Sequence, residues 1–166
     1  MKLLAGILLL CGMGVAHALP EPIVLTMYGD IEHQGQYYPQ WDFTLSELQA
    51  LPQAQITTAH PWSTQPHTYS GVDLTALLAS LFSDKTVSSL SLEALNGFSI
   101  ALDWADIKIY QPILAWQDNN HIMTQRNQGP LWLMLPFDQV PRIKQADFIH
   151  FMVWQLRTIK VITEPK

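Results

Sequence analysis

Cysteine is almost missing from this chain: the single one, Cys11, stands inside the first eighteen residues. Those residues have the make-up of an export leader. Lys2 gives a positive start, "LLAGILLLCGMGV" (3–15) is apolar but too short to span a bilayer with margin, and "AHA" (16–18) has the small-x-small pattern that precedes cleavage. The mature chain is therefore expected to begin at Leu19, in the periplasm, without a thiol for a disulfide or a metal. Lipidation of Cys11 is not expected, because Leu10 before it is large where such signals place a small residue.

Cations are scarce as well. Without Lys2, eight Lys and Arg face fourteen Asp and Glu, a formal charge of −6. No basic run or stripe exists, so nucleic acid is excluded as an expected partner. No second long apolar segment is present, so the mature chain is not expected to span a membrane. Internal repeats, low-complexity tracts and linkers are also lacking, so residues 19–166 are expected to form one domain.

The apolar patterning predicts short strands with a few short helices. "PIVLTMYG" (22–29) reads as a strand ended by Gly29-Asp30, and "AQITTAH" (54–60) as another. "DFTLSELQALP" (42–52) reads as a helix, with Thr44 and Glu47 at capping-box spacing and Pro52 as its stop. A long polar loop is expected over 61–71, followed by a helix over 72–82 with Leu74, Leu77, Leu78 and Leu81 on one face. Asn96-Gly97 predicts a type I′ hairpin, and Asn119-Asn120 a second hairpin with weaker turn chemistry. Asp103 is placed to cap a single turn, "WADIK". "LWLMLP" (131–136) shows no clean alternation, as expected of a strand covered on both faces, and 148–162 opens irregularly or helically and ends as a strand. The pattern gives an α+β fold with a mixed, mainly antiparallel sheet.

Few of the usual catalytic patterns are present. No Gly-x-Ser-x-Gly elbow, Gly-rich phosphate cradle or cysteine nucleophile occurs in the mature chain, and no two histidines stand four apart. Asp103 and Asp106 have the spacing of a capped turn. The candidate site is instead aromatic and imidazole-rich: His60, Trp62, His67 and Tyr69, expected to face the loop 119–129 with Arg126 across a cleft. Trp62 has two readings, an exposed contact surface for a ligand or a cover over one end of the core. Arg126 also has two, a cleft-facing cation or a solvated charge. Trp116, Trp132 and Trp154 read as core.

An ordered set of stretches carries a resemblance: "YGDI", "FTLSELQALP", "ITTAHPW", "YSGVDLTALL", "ALNGFSIALDWAD", "PILAWQDNNHIMTQRNQGPLWLMLP" and "VWQLRTIKV". Across 23–162 the chain resembles small exported members of the sulfite-oxidase-type molybdopterin-binding superfamily. The resemblance implies that superfamily's α+β fold and, in its enzymes, a pterin-bound molybdenum held by one cysteine thiolate. That cysteine would fall at 57–60, where this sequence has "TTAH". Thr hydroxyl and His imidazole are poor substitutes for a soft anionic sulfur. No cofactor or metal is therefore expected, molybdopterin entering by resemblance alone. The expected function is a ligand-binding module, or an accessory to the periplasmic domain of a membrane protein. The alternative is a molybdopterin-dependent oxidoreductase with a non-cysteine ligand near His60.

Overall fold

The computed structural model describes residues 19–166; the expected leader, 1–18, lies outside the described residues. The chain opens with a hairpin of β1 (Ile23–His33) and β2 (Gln36–Thr44), joined at Gln34-Gly35 with φ of 52° and 76°. The expected strand end at Gly29-Asp30 is a β-bulge instead. The ladder shifts register between Tyr28 and Ile31 and continues to His33. Edge strand β2 escapes sequence reading because most of its side chains are exposed and it carries Pro39, which only an edge tolerates.

Helix α1 (Leu45–Gln49) starts as its sequence dictates. Glu47 N–H donates to Thr44 Oγ1 at 3.3 Å, and Thr44 N–H donates to Glu47 Oε2 at 2.7 Å. Next come β3 (Gln53–His60) and β4 (Ser63–Asp73), an antiparallel hairpin. The polar loop expected over 61–71 is thus mostly strand. Pairing with β3 satisfies its backbone, and Pro66 falls in the irregular part of the ladder, between the Thr58–His67 and His60–Ser63 pairs, where its missing N–H does little harm.

Asp73 caps α2 (Leu74–Leu81), whose Leu74, Leu77, Leu78 and Leu81 are buried. β5 (Lys85–Ala94) and β6 (Ser99–Asp103) form the hairpin expected at Asn96-Gly97, but a three-residue loop closes it and only Gly97 has positive φ. Asp103 precedes α3 (Trp104–Lys108) without making a side-chain capping bond. The Asn119-Asn120 turn, with φ of 44° and 66°, is the one that takes the primed form. It joins β7 (Ile113–Asp118) to the short β8 (His121–Ile122). β9 (Trp132–Met134), α4 (Arg142–Phe151) and β10 (Leu156–Pro165) complete the described chain.

The strands make two sheets. One has the order β2-β1-β10-β5-β6, with β1 and β10 parallel and the other pairs antiparallel. The other has the order β3-β4-β7-β8, and β9 pairs with the first half of β7. Leu131, Trp132, Leu133, Met134 and Leu135 are all buried, as expected of a strand covered on both faces. An isolated Trp132–Trp154 bridge and a 2.9 Å bond from Leu156 N–H to Leu131 O tie β9 to the segment entering β10, so one apolar cluster serves both sheets.

Gly71 is the tightest point. A Cβ there would collide with Leu114 O and lie 2.5 Å from Ala115 Cα, both backbone atoms of β7. Gly71→Ala is expected to destabilise the fold by about 2 kcal/mol or more in urea denaturation, since backbone cannot yield as a side chain can. Gly35→Ala, at φ 76° with nothing within 4 Å of the new Cβ, is expected to cost about 1 kcal/mol of backbone strain and serves as the control.

Candidate functional site

The β3–β4 hairpin places the candidate residues. Along β3 the alternate positions Ile56, Thr58 and His60 are buried, as a period of two requires. The chain reverses over Pro61-Trp62, with His60 paired to Ser63. On β4, His67 and Tyr69 stand two residues apart on one face, and their rings stack with centroids 6.0 Å apart. His60, Trp62, His67 and Tyr69 therefore share one neighbourhood. His60 lies 5.7 Å from both Trp62 and Tyr69, and 6.4 Å from His67, between ring centroids.

Two tryptophans read as core complete this cluster. Trp132 is buried, 5.3 Å from His60 and 5.5 Å from Tyr69, and donates Nε1–H to Met152 O at 2.9 Å. Trp154, half-buried, meets Trp62 edge-on at 5.0 Å. Asp118 is a further member. Its carboxylate accepts from His67 Nδ1 at 2.8 Å, which fixes the hydrogen on that nitrogen. Asp118 is 51 residues from His67, and the pairing of β4 with β7, with Tyr69 opposite Asp118, brings them together.

His60 has an unusual hydrogen-bond balance. Its Nε2 lies 2.6 Å from the Tyr69 hydroxyl, while its Nδ1 is buried without a partner. If Nε2 carried the hydrogen, both the phenol hydrogen and the Nδ1 lone pair would go unmet. With Tyr69 donating to Nε2, the Nδ1–H alone is unmet, so this tautomer is favoured. Electrostatics agree. Burial and then Asp118 push the Tyr69 phenol well above the ordinary tyrosine range. Burial and then His67 push His60 below the usual histidine value, against the opposing effect of Asp118. The pair is thus a neutral phenol donating to a neutral imidazole that is 7% exposed.

Trp62, 39% exposed, also lines an apolar cleft of about 190 Å³. Trp154, Phe98, Met152 and Val153 form other walls, and Asn96 and His150 supply polar groups. The β5–β6 turn, absent from the sequence-based site, thus contributes to it. The segments expected to face each other across a cleft are instead neighbours in one sheet: Asn119 N–H donates to Thr68 O at 2.8 Å, and Asn119 Oδ1 accepts from Thr68 N–H at 2.9 Å. Arg126 is exposed in a short turn, Gln125–Asn127, and makes no side-chain hydrogen bond or ion pair with a described residue.

At the end of β3, where the resemblance places a metal-binding cysteine, the donors are oxygen and nitrogen. Thr58 Oγ1 lies 3.0 Å from Asp138 Oδ1, and His60 is bound to Tyr69. Among the described residues, no group of three or more His, Cys, Asp or Glu is placed to hold a metal ion. This donor set does not fit a molybdenum centre that takes a soft thiolate.

No family model matches the chain, and no curated protein matches it in sequence. Its fold class is nonetheless defined: α+β, with mixed, mainly antiparallel sheets and short helices. Among the solved structures with a similar fold is the sulfane dehydrogenase SoxCD from Paracoccus pantotrophus, with a TM-score of 0.59 and 17% identity. The match covers 85% of this chain and 38% of that one, so the chain spans well under half the length of that neighbour. At this identity the likeness is one of fold.

The lowered His60 predicts a pH dependence. An unfolded chain protonates His60 near pH 6.5, while the folded one resists until lower pH, so below about pH 6.5 the unfolded state binds more protons. Thermal melts from pH 8 to pH 5 are expected to show stability falling through that window. His60→Gln, which keeps an acceptor for Tyr69 without titrating, is expected to flatten part of the slope.

Proposed function

We propose that this chain is an exported small-molecule-binding module that keeps the sulfite-oxidase-like fold without using molybdenum. The observation that carries this reading is the His60 Nδ1–H, buried and unpartnered, beside Trp62, which also walls the apolar cleft. A buried donor left unmet costs about 1–3 kcal/mol, and a ligand acceptor would recover that cost. The aromatic walls favour a planar or apolar body. The Asp118 carboxylate, close enough to act on both His60 and Tyr69, disfavours a negative charge. The ligand class is therefore an uncharged planar molecule with a carbonyl or ring-nitrogen acceptor. Rotation of Trp62, carried on a two-residue turn, would connect the cleft with His60.

Against molybdenum chemistry stand the oxygen and imidazole donors at the end of β3, neither a soft thiolate, and the lack of any thiol outside 1–18. A second reading, an accessory module docking on the exported domain of a membrane protein, is favoured by the exposed apolar groups around the cleft. Leu95 and Phe98 flank the β5–β6 turn and are 38% and 44% exposed, near the 39% of Trp62.

Tryptophan fluorescence titrations with naphthoquinone, coumarin and uracil are the direct test. At least one is expected to bind, with Trp62→Ala and His60→Asn each weakening it about tenfold, the worth of one good contact. Affinities unchanged in Trp62→Ala would remove the cleft from the function. Stoichiometric molybdenum in the purified protein, lost in His60→Ala, would replace this reading with the oxidoreductase.

A further inference from the structure

A second cavity, sharing no lining residue with the Trp62 cleft, lies between α2, α3, the start of β5 and the end of β10, with a volume of about 250 Å³. Its floor is apolar: Leu78, Phe82, Val87 and Trp104. Its polar lining includes Lys85, Lys108 and Lys166, with Thr75, Ser83 and Thr86. In a chain with only eight Lys and Arg from Leu19 onward, three of them converge on this one cavity.

The lysines retain donors. Lys85 Nζ lies 3.2 Å from both the carboxylate and the backbone carbonyl of Asp30, and 4.4 Å from the Tyr37 ring centroid, which leaves one of its three hydrogens. Lys166 Nζ donates to Ser83 O. Lys108 makes no hydrogen bond or ion pair with a described residue, so all three of its hydrogens remain. The nearby carboxylates have partners but keep their charge, and Asp84, held below its usual range first by the Tyr37 hydroxyl, is close enough to Lys85 and Lys166 for both to lower its pKa further. Asp30 takes Lys85, Asp84 accepts the Tyr37 hydroxyl at 2.7 Å, and Glu32 accepts from Ser83 Oγ and Gly35 N–H. None of the three lines the cavity.

Thr75 supplies a separate indication. It is the second residue of α2, where no preceding helical turn offers its hydroxyl a carbonyl. Here its Oγ1 is buried and has no partner. Among the described residues only His60 Nδ1 shares that condition.

We propose that this cavity binds a small organic anion, a carboxylate on an apolar body. Lys108 and the residual hydrogens of Lys85 and Lys166 hold the charge, Thr75 meets one carboxylate oxygen, and Phe82 and Trp104 cover the body. The volume exceeds the ~150 Å³ that accommodates a benzene ring and leaves room for a carboxylate. A bare inorganic anion would leave the apolar floor uncovered.

Amide chemical-shift titrations of the purified protein with benzoate, benzamide and inorganic phosphate test this. Benzoate is expected to shift residues of α2, α3 and early β5, with benzamide and phosphate each binding at least tenfold more weakly. Lys108→Gln is expected to weaken benzoate about tenfold, as loss of one charge-assisted contact does. Thr75→Val is expected to weaken it while leaving the urea midpoint unchanged or higher, because no internal bond is lost. Benzoate without effect at 10 mM, benzamide equal to benzoate, or full affinity in Lys108→Gln overturns the proposal. Phosphate equal to benzoate overturns its organic character. A lowered midpoint with full affinity in Thr75→Val removes Thr75 from the site.

Discussion

The backbones of β4 and β7 approach so closely at Gly71 that no side chain fits between them, and the register of the second sheet depends on that contact. Gly71 sits opposite Ala115, the ladder shifts by one residue beside it, and Tyr69 then pairs with Asp118. That shift brings the Asp118 carboxylate within reach of His67, two residues further along β4. Without it every side chain beyond Ser70 would meet β7 on the other face. The His67–Asp118 pair thus follows from one position where only hydrogen is tolerated, while the His60–Tyr69 bond is set within the β3–β4 hairpin.

Local signals in the sequence were easy to read where local physics decides. The Thr44–Glu47 box, the leucine stripe of α2 and the unalternating "LWLMLP" each fix their element with residues a few positions apart. The misread parts are those decided by distant partners. β4 looks like a polar loop because its backbone bonds come from β3 and β7, and β2 escapes reading because most of its side chains are exposed on an edge with a single neighbour. The two Asn and Gly turns exchanged roles for the same reason. Strand spacing set the loop lengths, leaving only Gly97 at positive φ in one and both asparagines in the other.

The site shows the same division. His60, Trp62, His67 and Tyr69 lie within ten residues, so a single hairpin assembles them, although as a ladder and not as the polar loop expected over 61–71. Trp132, Trp154 and Asp118 could not be found from spacing, since they arrive through sheet pairing and an isolated bridge. Arg126 had two readings, a cleft-facing cation or a solvated charge, and it is exposed and without a side-chain partner among described residues. Among the described residues, the two unpartnered buried side-chain atoms, in contrast, stand beside the aromatic cleft and the lysine-lined cavity respectively. In a stable interior such atoms are few, and their placement here separates two chemistries: one neutral and aromatic, the other cationic with an apolar floor.

β10 occupies the middle of the first sheet, parallel to β1 and antiparallel to β5. It is also the strand that follows all others along the described chain. The β1–β2 and β5–β6 hairpins can each zip locally, but nothing joins them until β10 has been made and inserted between them. A sheet whose keystone comes last closes over long loops, which slows folding. The same order means that a chain lacking its final strand has two orphan hairpins and no first sheet.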